Sequence, residues 1–97
     1  MTGIHDVATL RRRLGAALPR MAALAAQSPG DNWLQSIVVQ LRYVDGESAA
    51  GKRRLDRFDE LNFGLLASHY VDEVDPALAE ELHALSDAVR RLFGGGD

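Results

Sequence analysis

The 97-residue chain contains no cysteine. That absence excludes disulfides, thiolate zinc sites and cysteine nucleophiles, and it fits a reducing compartment. Aromatic residues are few: one tryptophan, two tyrosines and three phenylalanines. Only three prolines interrupt the chain. No uncharged apolar run approaches the roughly 20 residues that a membrane-spanning helix requires. The first residues, Met1-Thr2-Gly3-Ile4-His5-Asp6, lack the basic start and apolar stretch of a signal peptide. A cytoplasmic location with no membrane partner is therefore expected. The length allows one modest core and no second domain beside it. What is present is ordinary for a globular chain, at 46% hydrophobic and 26% charged.

The net charge is −3, but the two signs are unevenly placed. Residues 1–54 carry a surplus of +4, and residues 55–97 a surplus of −7. Such an asymmetry can build one acidic and one basic face. The competing reading is that the halves pack together and the charges only solvate helix surfaces.

Apolar positions recur at steps of three and four, the signature of amphipathic helices. A first helix is predicted from about Ile4 to Gln27, through Leu10, Leu14, Leu18 and Met21, with Asp6 or Thr2 as its cap. Pro19 inside it predicts a kink near Leu18 or a break into two pieces. A second helix is expected from Asp31 or Asn32 through Trp33, Leu34, Ile37, Val38 and Leu41, ending at Asp45-Gly46. A third is expected over Leu55 to Val71, with Leu55, Phe58, Leu61 and Leu65 on its buried face. Phe63, Leu66 and Tyr70 widen that face. Gly64 within it marks a point where another backbone comes close, since a mid-helix glycine costs about 1 kcal/mol against alanine. The fourth starts at Asp75-Pro76, an acidic cap followed by a proline whose missing N–H is harmless there. Glu80 and Glu81 near its start and Arg90 and Arg91 near its end suit the helix dipole. The expected fold is all-α: an antiparallel, four-helix bundle-like single domain over residues 1–93, with a disordered tail at 94–97.

Motifs that would carry chemistry are mostly missing. Glu80-x-x-His83 has the spacing of half a di-iron carboxylate site, but such a site needs a second copy and further glutamates. The serines lack a nucleophile-elbow context, and Gly94-Gly95-Gly96 precedes no helix that could bind phosphate. Adjacent Asp59 and Glu60 diverge by about 100° on a helix and would not share a substrate. Arg11-Arg12-Arg13 and Lys52-Arg53-Arg54 are genuine basic clusters, yet no helix combines arginines with Asn or Gln in a base-reading pattern. No catalytic residue, metal, cofactor or nucleic acid is expected.

What remains is a binding surface. Acidic groups, Asp75 among them, gather near the ends of the third and fourth helices. Asp56, Asp59, Glu60, Asp72 and Glu73, with Asn62, His69 and Tyr70 as neighbours suited to an interface, are the candidate contact residues. A small acidic protein of this kind can associate rapidly with a basic cleft and fill it.

The stretch from Ser28 to Leu82 carries a further pattern. Gln40-Leu41-Arg42-Tyr43-Val44 is followed, after a loop, by Leu61-Asn62-Phe63-Gly64-Leu65-Leu66-Ala67 and then by Asp72-Glu73-Val74-Asp75-Pro76-Ala77-Leu78-Ala79. The combination of L-x-x-G-x-x-A with an acidic link and D-P-x-L-A resembles the small all-helical immunity proteins of bacterial type VI secretion. The resemblance implies a non-enzymatic antitoxin that binds a cognate secreted toxin domain and occludes its catalytic site. In the family's best-known case that toxin is an NAD(P)-glycohydrolase. Of a different class is a non-catalytic helical adaptor or regulatory dimerisation module. An exposed Trp33 and an alanine-rich first helix would suit such a homodimer.

Overall fold

The computed structural model describes residues 3–94. Four α-helices and one short 3-10 turn follow each other in the chain: α1 (Val7–Ala26), α2 (Asn32–Ala49), the turn Phe58–Glu60, α3 (Phe63–Tyr70) and α4 (Pro76–Phe93). No strand occurs among the described residues.

Each helix packs against two others, in the cyclic order α1, α2, α3, α4. Their directions follow from individual contacts. Arg13 meets Glu81 while Arg20 meets Asp75, so α1 and α4 are antiparallel. Gln40 bonds Asn62 while Trp33 stacks on Tyr70, so α2 and α3 are antiparallel. Gly64 lies against Ser86 and Ser68 against His83, so α3 and α4 are antiparallel too. The all-α bundle expected from the sequence is the observed architecture.

The core is built from the predicted stripes. Leu10, Leu14 and Met21 of α1, Ile37, Leu41 and Val44 of α2, and Leu78, Leu82 and Leu85 of α4 are all buried. Burying a side chain of this kind contributes about 1.5–3 kcal/mol. The helix starts are legible in local chemistry. Asp6 Oδ1 accepts from Thr9 N–H, Asp31 Oδ1 from Trp33 and Leu34 N–H, and Asp75 Oδ1 from Leu78 N–H. Each satisfies amide donors that a first turn leaves without intrahelical partners. Thr2, the other candidate cap for α1, lies outside the described residues.

Four expectations need correction. First, of the two outcomes expected at Pro19, the break does not occur: α1 is one helix from Val7 to Ala26. Proline takes the bond from, and crowds, the carbonyl four residues earlier. Here that residue is Gly15, and both Gly15 and Pro19 are exposed, so water can serve the carbonyl.

Second, α2 does not stop at Asp45-Gly46 but continues to Ala49. Gly46 is helical, and the left-handed backbone sits at Gly51, with φ +78°. The extra turn is supported by Ser48, which is buried and donates its hydroxyl to the Asp45 carbonyl.

Third, no single helix spans Leu55 to Val71. A loop and the 3-10 turn occupy the first part, and α3 has only 8 residues. Side chains of α2 explain the break. Tyr43 Oη accepts from Arg57 N–H at 2.9 Å. Gln40 Oε1 accepts from Asn62 N–H at 2.8 Å while its Nε2 donates to Asn62 Oδ1 at 2.7 Å. Backbone groups that a continuous helix would have used are satisfied across the bundle instead. Restarting at Phe63 also rotates the buried face: Phe63, Leu66 and Ala67 point inward, and Leu65 is 60% exposed.

Fourth, Glu80 and Glu81 lie beyond the first turn of α4, whose first turn holds no acid. Glu81 instead joins α4 to α1 through Arg13. Gly94 forms the C-cap of α4. The rest of the expected tail, residues 95–97, lies outside the described residues.

Candidate interaction surface

All eight residues singled out in the sequence are exposed: Asp56, Asp59, Glu60, Asn62, His69, Tyr70, Asp72 and Glu73. They do not form one patch. Asp56, Asp59 and Glu60 precede α3 and lie around the 3-10 turn, where Phe58 reaches the end of α4 at Gly94. His69, Tyr70, Asp72 and Glu73 stand at the other end of α3. An 8-residue helix spans about 12 Å, so the two groups face opposite ends of the bundle. Asn62 is engaged by Gln40 and serves the fold.

The bundle ends differ in charge. The α1–α2 and α3–α4 connections share one end. Residues 27–33 and 69–75 there carry four acids (Asp31, Asp72, Glu73 and Asp75) and no lysine or arginine. Arg20 reaches Asp75 from α1 at 3.4 Å. At the opposite end, residues 52–60 carry Lys52, Arg53, Arg54 and Arg57 against Asp56, Asp59 and Glu60, and α4 adds Arg90 and Arg91. Glu47 pairs with Lys52 at this end and Arg20 with Asp75 at the other, so the ends differ in net charge at their connections without separating the two signs.

The acidic end also holds a feature that periodicity alone did not reveal. Trp33, in the first turn of α2, stacks on Tyr70, the last residue of α3, with ring centroids 5.5 Å apart and planes 9° from parallel. Trp33 is 52% exposed, as anticipated. His69 tilts against Tyr70 at 6.1 Å, and Val74 in the following connection is 65% exposed. Stacking of this kind adds about 0.5–1.5 kcal/mol beyond area burial. It joins helix termini far apart in sequence, each ring resting on the other.

Two shallow clefts flank the 3-10 turn. One, of about 240 Å³, lies between that turn and α4, lined by Phe58, Asp59, Ser86 and Arg90 among others. The second, of about 210 Å³, lies against α2 and includes Val39, Gln40, Tyr43 and Arg57. His83 Nε2 and Ser68 Oγ are 3.0 Å apart on the α3–α4 seam. Among the described residues no group of three His, Cys, Asp or Glu side chains stands close enough to hold a metal ion. No described helix is long and apolar enough to cross a membrane.

The geometry defines a small helical bundle with a rigid aromatic pair on one acidic, solvent-facing end, an arrangement suited to a macromolecular partner. The chain belongs to the Tsi6 family, whose model matches residues 9–91; this is a family of type VI secretion immunity proteins, which bind toxins. No curated protein and no solved structure matches the chain.

Proposed function

We propose that this protein is the cytoplasmic antitoxin of one secreted toxin, and that it acts by seating on the toxin's catalytic domain and blocking access to its active site. The observation that carries this reading is the family match across residues 9–91. The toxin we favour is an NAD(P)-glycohydrolase, as the resemblance in the sequence implies. In this reading the protein makes and breaks no bond, and its role is stoichiometric: one folded surface removes one active site from solution.

Part of the eight-residue set, His69, Tyr70, Asp72 and Glu73, is suited to the contact because it is exposed and adjoins the stacked rings. A dimer pairing this end with itself would set four acids and Arg20 against the same set, a net like-charge contact that disfavours the dimerisation alternative at this end.

Co-expression with the toxin domain encoded beside this chain tests the proposal. Growth should be restored, cellular NAD(P) should be preserved, and the two proteins should co-purify. Failure of both rescue and complex formation refutes the antitoxin role. Rescue with NAD(P) levels unaffected by the free toxin refutes only the glycohydrolase assignment.

A further inference from the structure

Resting on the antitoxin reading, the structure locates the anchor of the contact and the chemistry of what it meets. We propose that the bundle end centred on the Trp33–Tyr70 stack is the docking face, and that the toxin meets it with a cationic segment that sets an arginine or lysine against the exposed indole.

Four observations converge on this end. Trp33 is half exposed, although large aromatic side chains are the residues a small core most gains by burying. The ring is also held still: the stack on Tyr70 and the position in the first turn of α2 limit its motion before any partner arrives. A pre-positioned aromatic loses little conformational freedom on binding, which favours it as an interface anchor. The surrounding charge is predominantly negative: the two connections at this end carry four acids and no lysine or arginine, and Arg20 reaches in from α1 only as the partner of Asp75. Val74, exposed in the second of these connections, adds apolar area.

A cation above an indole gains from the ring quadrupole, and carboxylates at the rim strengthen the attraction. A second copy of this chain presents the same predominantly acidic end, with Arg20 already paired to Asp75, so it would have to turn another part of its surface to this face. A contact between unlike surfaces of that kind builds rings or filaments rather than a two-fold dimer.

The protein's single tryptophan makes the test direct. Titrating the full-length protein with the co-encoded toxin domain should shift Trp33 emission to the blue and reduce its quenching by acrylamide. W33A and Y70A should each weaken binding about 30-fold, the scale of an interface hot spot, and W33F should recover most of the loss. D72N/E73Q should slow association several-fold, with the effect largest at low salt. D56N/D59N/E60Q, at the other end, should stay within twofold of wild type.

A complex that forms with unchanged Trp33 quenching overturns the proposal and leaves the antitoxin reading intact. So does W33A binding within twofold of wild type. Quenching that falls with protein concentration in the absence of toxin replaces the toxin with a second copy as the occupant. A wild-type protein that neither binds the toxin nor protects against it removes the antitoxin reading, and the docking face with it.

Discussion

Gly64 of α3 and Ser86 of α4 meet where the two helices cross: a Cβ placed on Gly64 would lie 2.7 Å from Ser86 Oγ and 2.8 Å from Ser86 Cβ. Rotating the hydroxyl would relieve only the first of these. G64A should therefore lose stability by about 1–3 kcal/mol, because overpacking at the crossing outweighs the gain in helix propensity. S86G should recover part of that loss in the double variant, whereas S86A, which keeps Cβ, should recover less. Urea denaturation of the four proteins checks this. A G64A variant more stable than wild type would show that the crossing has room.

Arg13 and Glu81 clamp the first helix to the last. Arg13 Nε donates to Glu81 Oε2 at 2.9 Å and its terminal nitrogen to Oε1, a two-pronged contact with both side chains about three-quarters buried. The hydrogen bond to Glu81 raises the pKa of Arg13, so the guanidinium stays charged throughout the working range. A double-mutant cycle with R13A and E81A should give a coupling of about 1 kcal/mol, the upper end for pairs with good geometry. R13K should restore less than half of it, since an ammonium cannot reproduce the planar fork. A coupling near zero would mean that the pair orients the helices without stabilising them.

The start of α1 should show its own acid sensitivity. The Thr9 backbone N–H bonding Asp6, followed by smaller contributions from the Thr9 side chain, Arg12 and His5, holds the Asp6 carboxyl below its usual value of 3.8. A group whose pKa is depressed on folding adds stability above its unfolded value and loses it as pH falls through the folded one. The difference in stability between wild type and D6N, which keeps an acceptor oxygen but does not titrate, should therefore be constant above about pH 5. It should move toward D6N as the solution is acidified below pH 4. Thermal melts from pH 2 to 7 read this directly, and parallel curves would deny the cap its pH dependence.

Tyr43 holds the segment between α2 and α3. Y43F removes the oxygen that accepts from Arg57 N–H and should cost about 1 kcal/mol. More specifically, amide exchange at Arg57 should accelerate about tenfold, while amides in the middle of α1 and α4 slow or quicken only with global stability. Equal acceleration everywhere would show that the segment unfolds with the whole bundle.

The sequence was most readable where local chemistry and long-range packing agree. Asp75-Pro76 supplies a cap and a permitted proline, and the Leu78, Leu82, Leu85 and Val89 stripe runs unbroken, so α4 was legible almost to the residue. The Gly64 crossing was legible in part: a glycine in a helical stretch called for a close neighbour, but that neighbour is the Ser86 side chain rather than a backbone, and Gly64 lies in the first turn of α3 rather than in mid-helix.

The region before α3 was not, because Leu55, Phe58 and Leu61 keep helical spacing across a break. The cause of that break lies in Gln40 and Tyr43, on another helix. Exposure was foreseeable from chemistry for seven of the eight interface candidates, whereas Tyr70, expected to widen the buried face, is 37% exposed. The division of the eight between two ends was implicit in the sequence as well, since a helix over Leu55 to Val71 would already set Asp56 and Asp72 about 24 Å apart, and the shorter α3 still leaves them at opposite ends. The Trp33–Tyr70 stack joins residues from different helices, and only the tertiary arrangement brings them together.

Because α1 and α4 run antiparallel as neighbours, Ile4 and Phe93 leave the bundle on the same side, away from the aromatic end. A few glycines and serines should bridge them, and new ends can be opened in the exposed Gly51–Arg54 loop. Such a circular permutant should keep its tryptophan spectrum. Reporters or surface tethers attached before Ile4 or after Phe93 should likewise leave the stacked rings facing outward and unencumbered.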